Sequence, residues 1–327
     1  MKYPPTLRDR PVFICGHPKS GTSLLRAIFD SHPQLVVYPE ETVFFRRYLP
    51  KASGLDLKGQ LELAEKYLIH IFTWNRDNPP PSQEGFPDRD YSHIPVRAIR
   101  QAMWQIGEVD YRHPGDILSA VMLAYGQVTG QANENTLHWV EKSPYNEYYA
   151  GQIFSWWPEA RCIHILRDPR DNFASYQLKH ASWGVEFFAA NWNRSTRAGM
   201  QNQERFGAGR YTILRYEDLV QSPEASLKKL TEFLQIEWNP SLASPTRAGS
   251  QWQGNSMFAD QFQSISAAPV ARWKDKLSPQ EAAIIEWMAG DAMQAAGYRR
   301  ETPPAFSTRL RALTWPLRRR FISKDQP

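Results

Sequence analysis

The sequence holds two cysteines, Cys15 and Cys162, in 327 residues. That is too few for a disulfide framework. Both sit in apolar, strand-like runs, so they read as buried thiols in a reducing compartment. Histidine and cysteine do not recur at ligand spacing, and no metal site is expected. No stretch of about 18 apolar residues appears, which argues against a transmembrane helix. Residues 1–10 are polar and carry no apolar signal core, so the expected location is cytoplasmic. Internal repeats and low-complexity segments are absent as well. What is present is a 42% hydrophobic, 13% aromatic and 22% charged chain. Such a chain is too apolar to be disordered and suits one α/β domain, with or without a lid.

Charge is unevenly placed. The net charge is +5, yet residues 299–327 alone carry +6 from eight Lys/Arg against Glu301 and Asp325. The body is therefore near neutral, and nucleic-acid binding is not expected of it. The tail interleaves Phe306, Leu310, Leu313, Trp315, Leu317, Phe321 and Ile322 with arginines. Apolar anchors beside arginines suit an anionic membrane surface, and the alternative is a terminal segment packed on its own domain. The expected division is an extension over 1–10, a main domain over 11–298 and a basic amphipathic tail over 299–327.

Residues 11–15 read as a buried strand, 16–21 as a glycine-bounded turn and 22–31 as a helix with Leu24, Leu25, Ile28 and Phe29 on one face. Further strands are predicted over 161–166 and 211–214, and helices over 171–181, 223–234 and 279–296. Strands alternating with helices predict a parallel sheet covered on both faces. The polar run 75–93, with three successive prolines, reads as a surface loop or lid margin.

The segment Gly16-His17-Pro18-Lys19-Ser20-Gly21-Thr22-Ser23 lies between the first strand and helix. Glycines let backbone N–H groups approach an anion, and a helix start adds its dipole and unpaired donors. A nucleotide kinase would have lysine directly after the second glycine. Here Thr22 stands there and the lysine is Lys19, so the loop suits a phosphate without the triphosphate apparatus. A P-loop kinase stays open as an alternative.

The run from Pro18 to Ser23 resembles the 5′-phosphosulfate loop of sulfotransferases that use 3′-phosphoadenylyl sulfate. With Leu24-Leu25-Arg26, Asp30-Ser31-His32-Pro33 and Glu40-Glu41-Thr42, the chain is most similar to the tyrosylprotein branch and its bacterial relatives. The resemblance implies a P-loop-like α/β fold, with a parallel sheet flanked by helices. It also implies transfer of a sulfuryl group from that cofactor to an acceptor hydroxyl or amine. Lys19, Ser20, Gly21, Thr22 and Ser23 would then hold the 5′ side. In Arg167-Asp168-Pro169-Arg170-Asp171-Asn172-Phe173-Ala174-Ser175, Arg167 and Ser175 match the family's 3′-phosphate positions; on their own, Arg-Asp neighbours more often form surface ion pairs. Tyr216, in Tyr216-Glu217-Asp218-Leu219, matches the tyrosine beside the adenine, against a plain core role. Arg272 is a further 3′-phosphate candidate.

Sulfuryl transfer needs a proton acceptor, stabilisation of the moving group and neutralisation of the leaving phosphate. It requires no metal. Lys19 is placed to serve the leaving phosphate, Lys142 resembles the family's lysine that reaches the sulfuryl group, and Ser256 is a further candidate contact. The histidine base of many cytosolic relatives would fall at Pro144 and is absent. The tyrosylprotein branch implies a glutamate, which Glu41 matches, with Glu40 as the alternative. His17 and His138 read as structural. A non-catalytic adenosine bisphosphate-binding protein is the remaining alternative. The acceptor stays open among peptide, carbohydrate, lipid-linked glycan and small molecule.

Overall fold

The computed structural model describes residues 3–77, 79–80, 89–109, 111–179, 182–254, 264–302 and 314–315. Ser256 and nearly all of the basic tail lie outside the described residues, as does the middle of the 75–93 loop.

Five strands, β1 (Pro11–Cys15), β2 (Leu35–Val37), β3 (His138–Lys142), β4 (Arg161–Leu166) and β5 (Tyr211–Arg215), form one sheet in the order β2-β3-β1-β4-β5. All four pairings are parallel. Alternate residues of a strand face opposite sides of a sheet. Val12 and Ile14 accordingly join one core with the helices Thr22–Phe29 and Pro223–Leu234, while Phe13 and Cys15 join the other with the helices Val96–Gly107 and Gly115–Thr129. On the second face Trp139 and Trp157 meet edge to face, 5.7 Å apart at 82°. Both cysteines are buried and unbridged.

The chain runs from β1 outward to β2 and β3, then crosses back to β4 and β5. The strand order reverses around β1, and open α/β sheets bind ligands at the carboxyl ends of strands at such a point. Gly16, Lys142, Arg167 and Tyr216 lie at or just after four of those strand ends.

Several predicted boundaries move for local reasons. The helix expected over 171–181 runs Pro169–Tyr176, because the Asp168 side chain caps it by accepting from the Arg170 N–H at 2.9 Å, with proline at the first helical position. The helix expected over 22–31 stops at Phe29, where the His32 N–H turns back onto the Phe29 carbonyl at 3.0 Å. β5 extends to Arg215, paired with Leu166. Ser278 and Glu281 form a reciprocal capping box at the head of Pro279–Ala295. The N-terminal segment packs onto the domain: Leu7 is buried, and the Arg8 carbonyl accepts from the Trp139 indole at 3.1 Å.

Candidate active site

Two glycines shape the loop after β1. Gly16 has φ +133°, and a Cβ there would lie 2.5 Å from the Ile165 carbonyl oxygen of β4. Gly21 has φ +106°, and a Cβ would lie 2.4 Å from Cδ2 of Tyr216. Side chains rarely adopt such backbone angles, and here none would fit. Between them Lys19 also takes a left-handed backbone, at φ 66°.

The back of the loop is bonded to the body. The Gly16 N–H donates to Glu147 at 3.1 Å, and the Gly16 carbonyl accepts from the Tyr145 N–H at 3.2 Å. The Pro18 carbonyl accepts from the Asn172 amide at 3.2 Å, and the Lys19 carbonyl from Arg167 at 3.1 Å. The front of the loop lines a cavity of about 780 Å³ with Lys19, Gly21, Thr22 and Ser23. First-turn N–H groups of a helix lack intrahelical acceptors, so this wall offers donors to an anion. The Ser20 hydroxyl is buried and has no hydrogen-bond partner among the described residues.

Arg167, Ser175, Tyr216 and Arg272 line the same cavity. Arg167 lies over the Tyr216 ring at 4.6 Å, and its second terminal nitrogen donates to the Pro269 carbonyl at 3.2 Å. Its Nε is buried with no hydrogen-bond partner among the described residues. The expected surface ion pair of neighbouring Arg and Asp does not form at Arg167. Asp168 instead pairs with Arg170 at 2.7 Å, which in turn reaches Glu286 at 2.6 Å. Behind Tyr216, Glu217 accepts from the Asp168 N–H at 2.9 Å and the Tyr298 hydroxyl at 2.7 Å, tying the end of β5 to that of β4. Asp171 fixes Arg272 from both sides, accepting from the N–H groups of Ala271 at 2.7 Å and Trp273 at 2.8 Å. Burial pushes the Asp171 carboxyl up to about 6, with Arg167 and those two N–H groups pulling the other way.

At the opposite end, the two adjacent glutamates separate. Glu40 is buried, accepts from the Tyr91 hydroxyl at 2.7 Å and pairs with Arg89 at 3.2 Å and Arg247 at 3.9 Å. Glu41 lines the cavity, its side chain 40% exposed, and pairs with Lys142 at 2.5 Å. Lys142 is itself 4% exposed and forms the wall behind it. Burial raises the Glu41 carboxyl, but Lys142 and Arg89 outweigh it and hold the group below the usual carboxylate range. Lys19 is lowered to about 8 by burial and by Lys179, Lys142 and Arg89, with Glu41 opposing.

His138 is fully buried, its ring nitrogens 3.1 and 2.8 Å from the carbonyls of Arg10 and Leu234. His17 is packed among Tyr145, Tyr176 and Phe188. Tyr91 is buried against Glu40, while Arg76, Asp77, Ser92 and His93 are exposed, so the described part of the 75–93 segment lies at the surface and is anchored in the core through Tyr91.

The profile of the sulfotransferase family matches residues 11–240. The chain belongs to the sulfotransferase family. This sulfotransferase-family chain is 26% identical over 234 residues to protein-tyrosine sulfotransferase A of Caenorhabditis elegans, covering 70% of this chain and 50% of that one. It is 26% identical over 243 residues to protein-tyrosine sulfotransferase 1 of Danio rerio, covering 71% and 55%. The chain thus spans about half the length of these curated relatives. Among solved structures, the sulfotransferase domain from the curacin biosynthetic pathway is similar with a TM-score of 0.60 at 18% identity, over 90% of this chain and 99% of that one. The fold is the P-loop-like sulfotransferase fold, a parallel sheet flanked by helices.

Arg46, Tyr145, Tyr148, Lys179 and Arg194 also line the cavity, and no motif marks them in the sequence. These residues come from four separate segments and carry no shared local pattern. Glu141 likewise stands in no motif of its own, yet it accepts from Thr42 Oγ1 at 2.7 Å, Ser143 Oγ at 2.6 Å and Asn146 Nδ2 at 2.6 Å. The Glu141-Lys142 pair in sequence was its only signal.

Proposed function

We propose that this chain transfers the sulfuryl group of 3′-phosphoadenylyl sulfate to an acceptor hydroxyl or amine. The observation that carries this reading is the arrangement around one cavity: the Lys19 loop, the Arg167–Tyr216 stack with Ser175, and the Glu41–Lys142 pair. The residues fit the cofactor. Arg167 Nε and Ser20 Oγ are buried donors lacking a hydrogen-bond partner among the described residues, and Gly21 lets the Tyr216 ring close against the loop.

Lys19, Ser20, Gly21, Thr22 and Ser23 are suited to the 5′-phosphate side. Arg167, Ser175 and Arg272 suit the 3′-phosphate, and the Tyr216 ring suits the adenine. The donor supplies an activated sulfuryl group: its S–O bond to the 5′-phosphate breaks as the acceptor oxygen or nitrogen bonds to sulfur. Glu41, held ionised by Lys142, accepts the proton that the acceptor loses. Lys19 and Lys142 present positive charge where negative charge grows on the leaving phosphate and the transferring oxygens. Ser256 is a further candidate contact outside the described residues.

Calorimetry tests the cofactor assignment. Adenosine 3′,5′-bisphosphate should bind far more tightly than AMP, and Arg167→Ala should weaken it about 10- to 100-fold, since a charged hydrogen bond contributes roughly 1.5–3 kcal/mol. Equal affinity for AMP and the bisphosphate would remove the 3′-phosphate assignment.

A further inference from the structure

Beyond Glu41, the cavity wall is a four-membered stack. Arg46 lies over the Tyr145 ring at 5.1 Å, and Tyr145 stacks on Tyr148 at 5.9 Å and 12°. Arg194 lies over Tyr148 at 5.1 Å and donates to its hydroxyl at 3.3 Å. Both guanidinium groups are exposed, and neither forms an ion pair with a carboxylate among the described residues. A guanidinium seated on an aromatic face has already lost much of its rotamer freedom, so an anion that meets it finds a preorganised fork.

Tyr148 and Arg194 also line a second cavity, of about 710 Å³. Its other walls include Ala190 and Ala198 of the helix Val185–Phe206, and Trp287 and Met288 of the helix Pro279–Ala295. The polar groups there are partly engaged: the Asn193 amide donates to the Met288 carbonyl at 2.7 Å, and Arg197 donates to Asn193 at 2.7 Å. At the junction of the two cavities Tyr148 stays 37% exposed. Tyr148 and Arg194 are thus shared between the cavity that Glu41 lines and the recess between the two helices.

From this arrangement we infer that the acceptor is an anionic lipid: a terminal hydroxyl for Glu41, a phosphodiester for Arg194 at the junction of the two cavities, and a hydrocarbon chain for the recess between the two helices. This rests on the sulfuryl-transfer reading above. Asn193, Arg197 and Gln201 also line the recess, but Asn193 and Arg197 are bonded within the fold, and the Ala190, Ala198, Trp287 and Met288 faces offer the amide groups of a peptide few partners. A hydrocarbon chain needs none. The transfer balances as before: the lipid hydroxyl oxygen bonds to sulfur, the sulfur–oxygen bond to the 5′-phosphate breaks, and the hydroxyl proton passes to Glu41.

The test uses the full chain, labelled 3′-phosphoadenylyl sulfate and four acceptors below any micelle concentration. These are lysophosphatidylglycerol with one acyl chain, the monoacylglycerol that lacks the phosphate, glycerophosphoglycerol that lacks the chain, and an acidic tyrosine peptide. Lysophosphatidylglycerol should be sulfated, with kcat/KM about 10- to 100-fold above either truncated acceptor. Arg194→Gln should bring the ratio of lysophosphatidylglycerol to monoacylglycerol down toward one. A merely structural loss would lower both acceptors together and keep the ratio, and that result overturns the inference. So does sulfation of the peptide in preference to the lipid, while leaving sulfuryl transfer in place. Failure of the bisphosphate to outbind AMP would overturn the reading beneath it, and this inference with it.

Discussion

Glu41 and Lys142 meet at 2.5 Å, and the residues beside them close the reverse contact, with the Thr42 hydroxyl donating to Glu141 at 2.7 Å. Two dipeptides about a hundred positions apart are thus cross-linked by a surface-facing ion pair and a buried hydrogen bond. Glu41→Gln keeps the shape and one acceptor oxygen but removes the proton acceptor. Turnover should fall by roughly 10²–10⁴, with affinity for adenosine 3′,5′-bisphosphate changed little. Glu40→Gln should act differently, because Glu40 faces Arg89, Arg247 and Tyr91 rather than the cavity. Its loss leaves buried guanidinium charge less compensated, so lower thermal stability is expected. A dead Glu40→Gln beside an active Glu41→Gln would assign the base to the wrong neighbour.

Glu141 is a positioning residue for that base. Its carboxylate holds Thr42, while Ser143 Oγ accepts from the Val43 N–H at 2.9 Å. Val43 is in a left-handed conformation, at φ 49°, so the turn after Glu41 depends on these bonds. Glutamine can keep them, because a flipped Asn146 could accept from its amide. Glu141→Ala leaves Thr42 and Ser143 with no acceptor in a buried site. We expect Glu141→Ala to lower kcat by about 10-fold or more, and Glu141→Gln to restore most of it. The acid limb of the kcat profile should move in Glu141→Ala, since Glu41 would be freed to shift against Lys142. An unmoved limb with equal losses in both variants would mean a fold defect only.

The pH response follows from two groups pushed in opposite senses. Glu41 is held below its ordinary 4.5, so it stays ionised through neutral pH and loses function only as pH falls through that lowered value. Lys19 is lowered to about 8, so its charge disappears as pH rises through that region. For the donor, kcat/KM reports the free protein and should decline above about pH 8. Bound donor brings negative charge beside Lys19 and raises its pKa, so the alkaline limb of kcat should lie higher. Lys19→Arg stays charged throughout. A donor kcat/KM profile that keeps the same alkaline limb in Lys19→Arg would assign the limb to another group.

The first strand, loop and helix were legible because the signal is local: an apolar run, then Gly16 to Gly21, then a 3.6-residue period in Thr22–Phe29. β3 was not legible, because His138, Glu141 and Lys142 make it look half-polar although every residue in it is buried. Those polar atoms are satisfied from afar, by Arg10, Leu234, Thr42 and Glu41. β2 is only three residues long and too short to show a period. The Lys19 loop, Arg167 and Tyr216 each follow a strand, and that local setting marks their motifs in the sequence. The stacked arginines could not be read, since Arg46, Tyr145, Tyr148 and Arg194 meet only through the tertiary fold. The choice between Glu40 and Glu41 depended on register, and the fold separates them by giving each a different set of cations.

Gly21 and Tyr216 provide a test of how the loop and the end of β5 fit together. A methyl group at residue 21 would sit 2.4 Å from Tyr216 Cδ2 and 3.1 Å from Cε2, on a backbone at φ +106°. The ring must move, and Arg167 is stacked on it at 4.6 Å. Gly21→Ala should therefore weaken adenosine 3′,5′-bisphosphate by about 10- to 100-fold, through displaced donors rather than a lost side chain. Tyr216→Ala removes the ring and with it the obstacle. In the double variant the steric part of the Gly21→Ala cost should vanish, leaving only the backbone strain of order 1–3 kcal/mol. The two substitutions should then be less than additive, as expected for residues in contact. Calorimetry on the four proteins measures this coupling, and strict additivity would show that the ring is not what Gly21 makes room for.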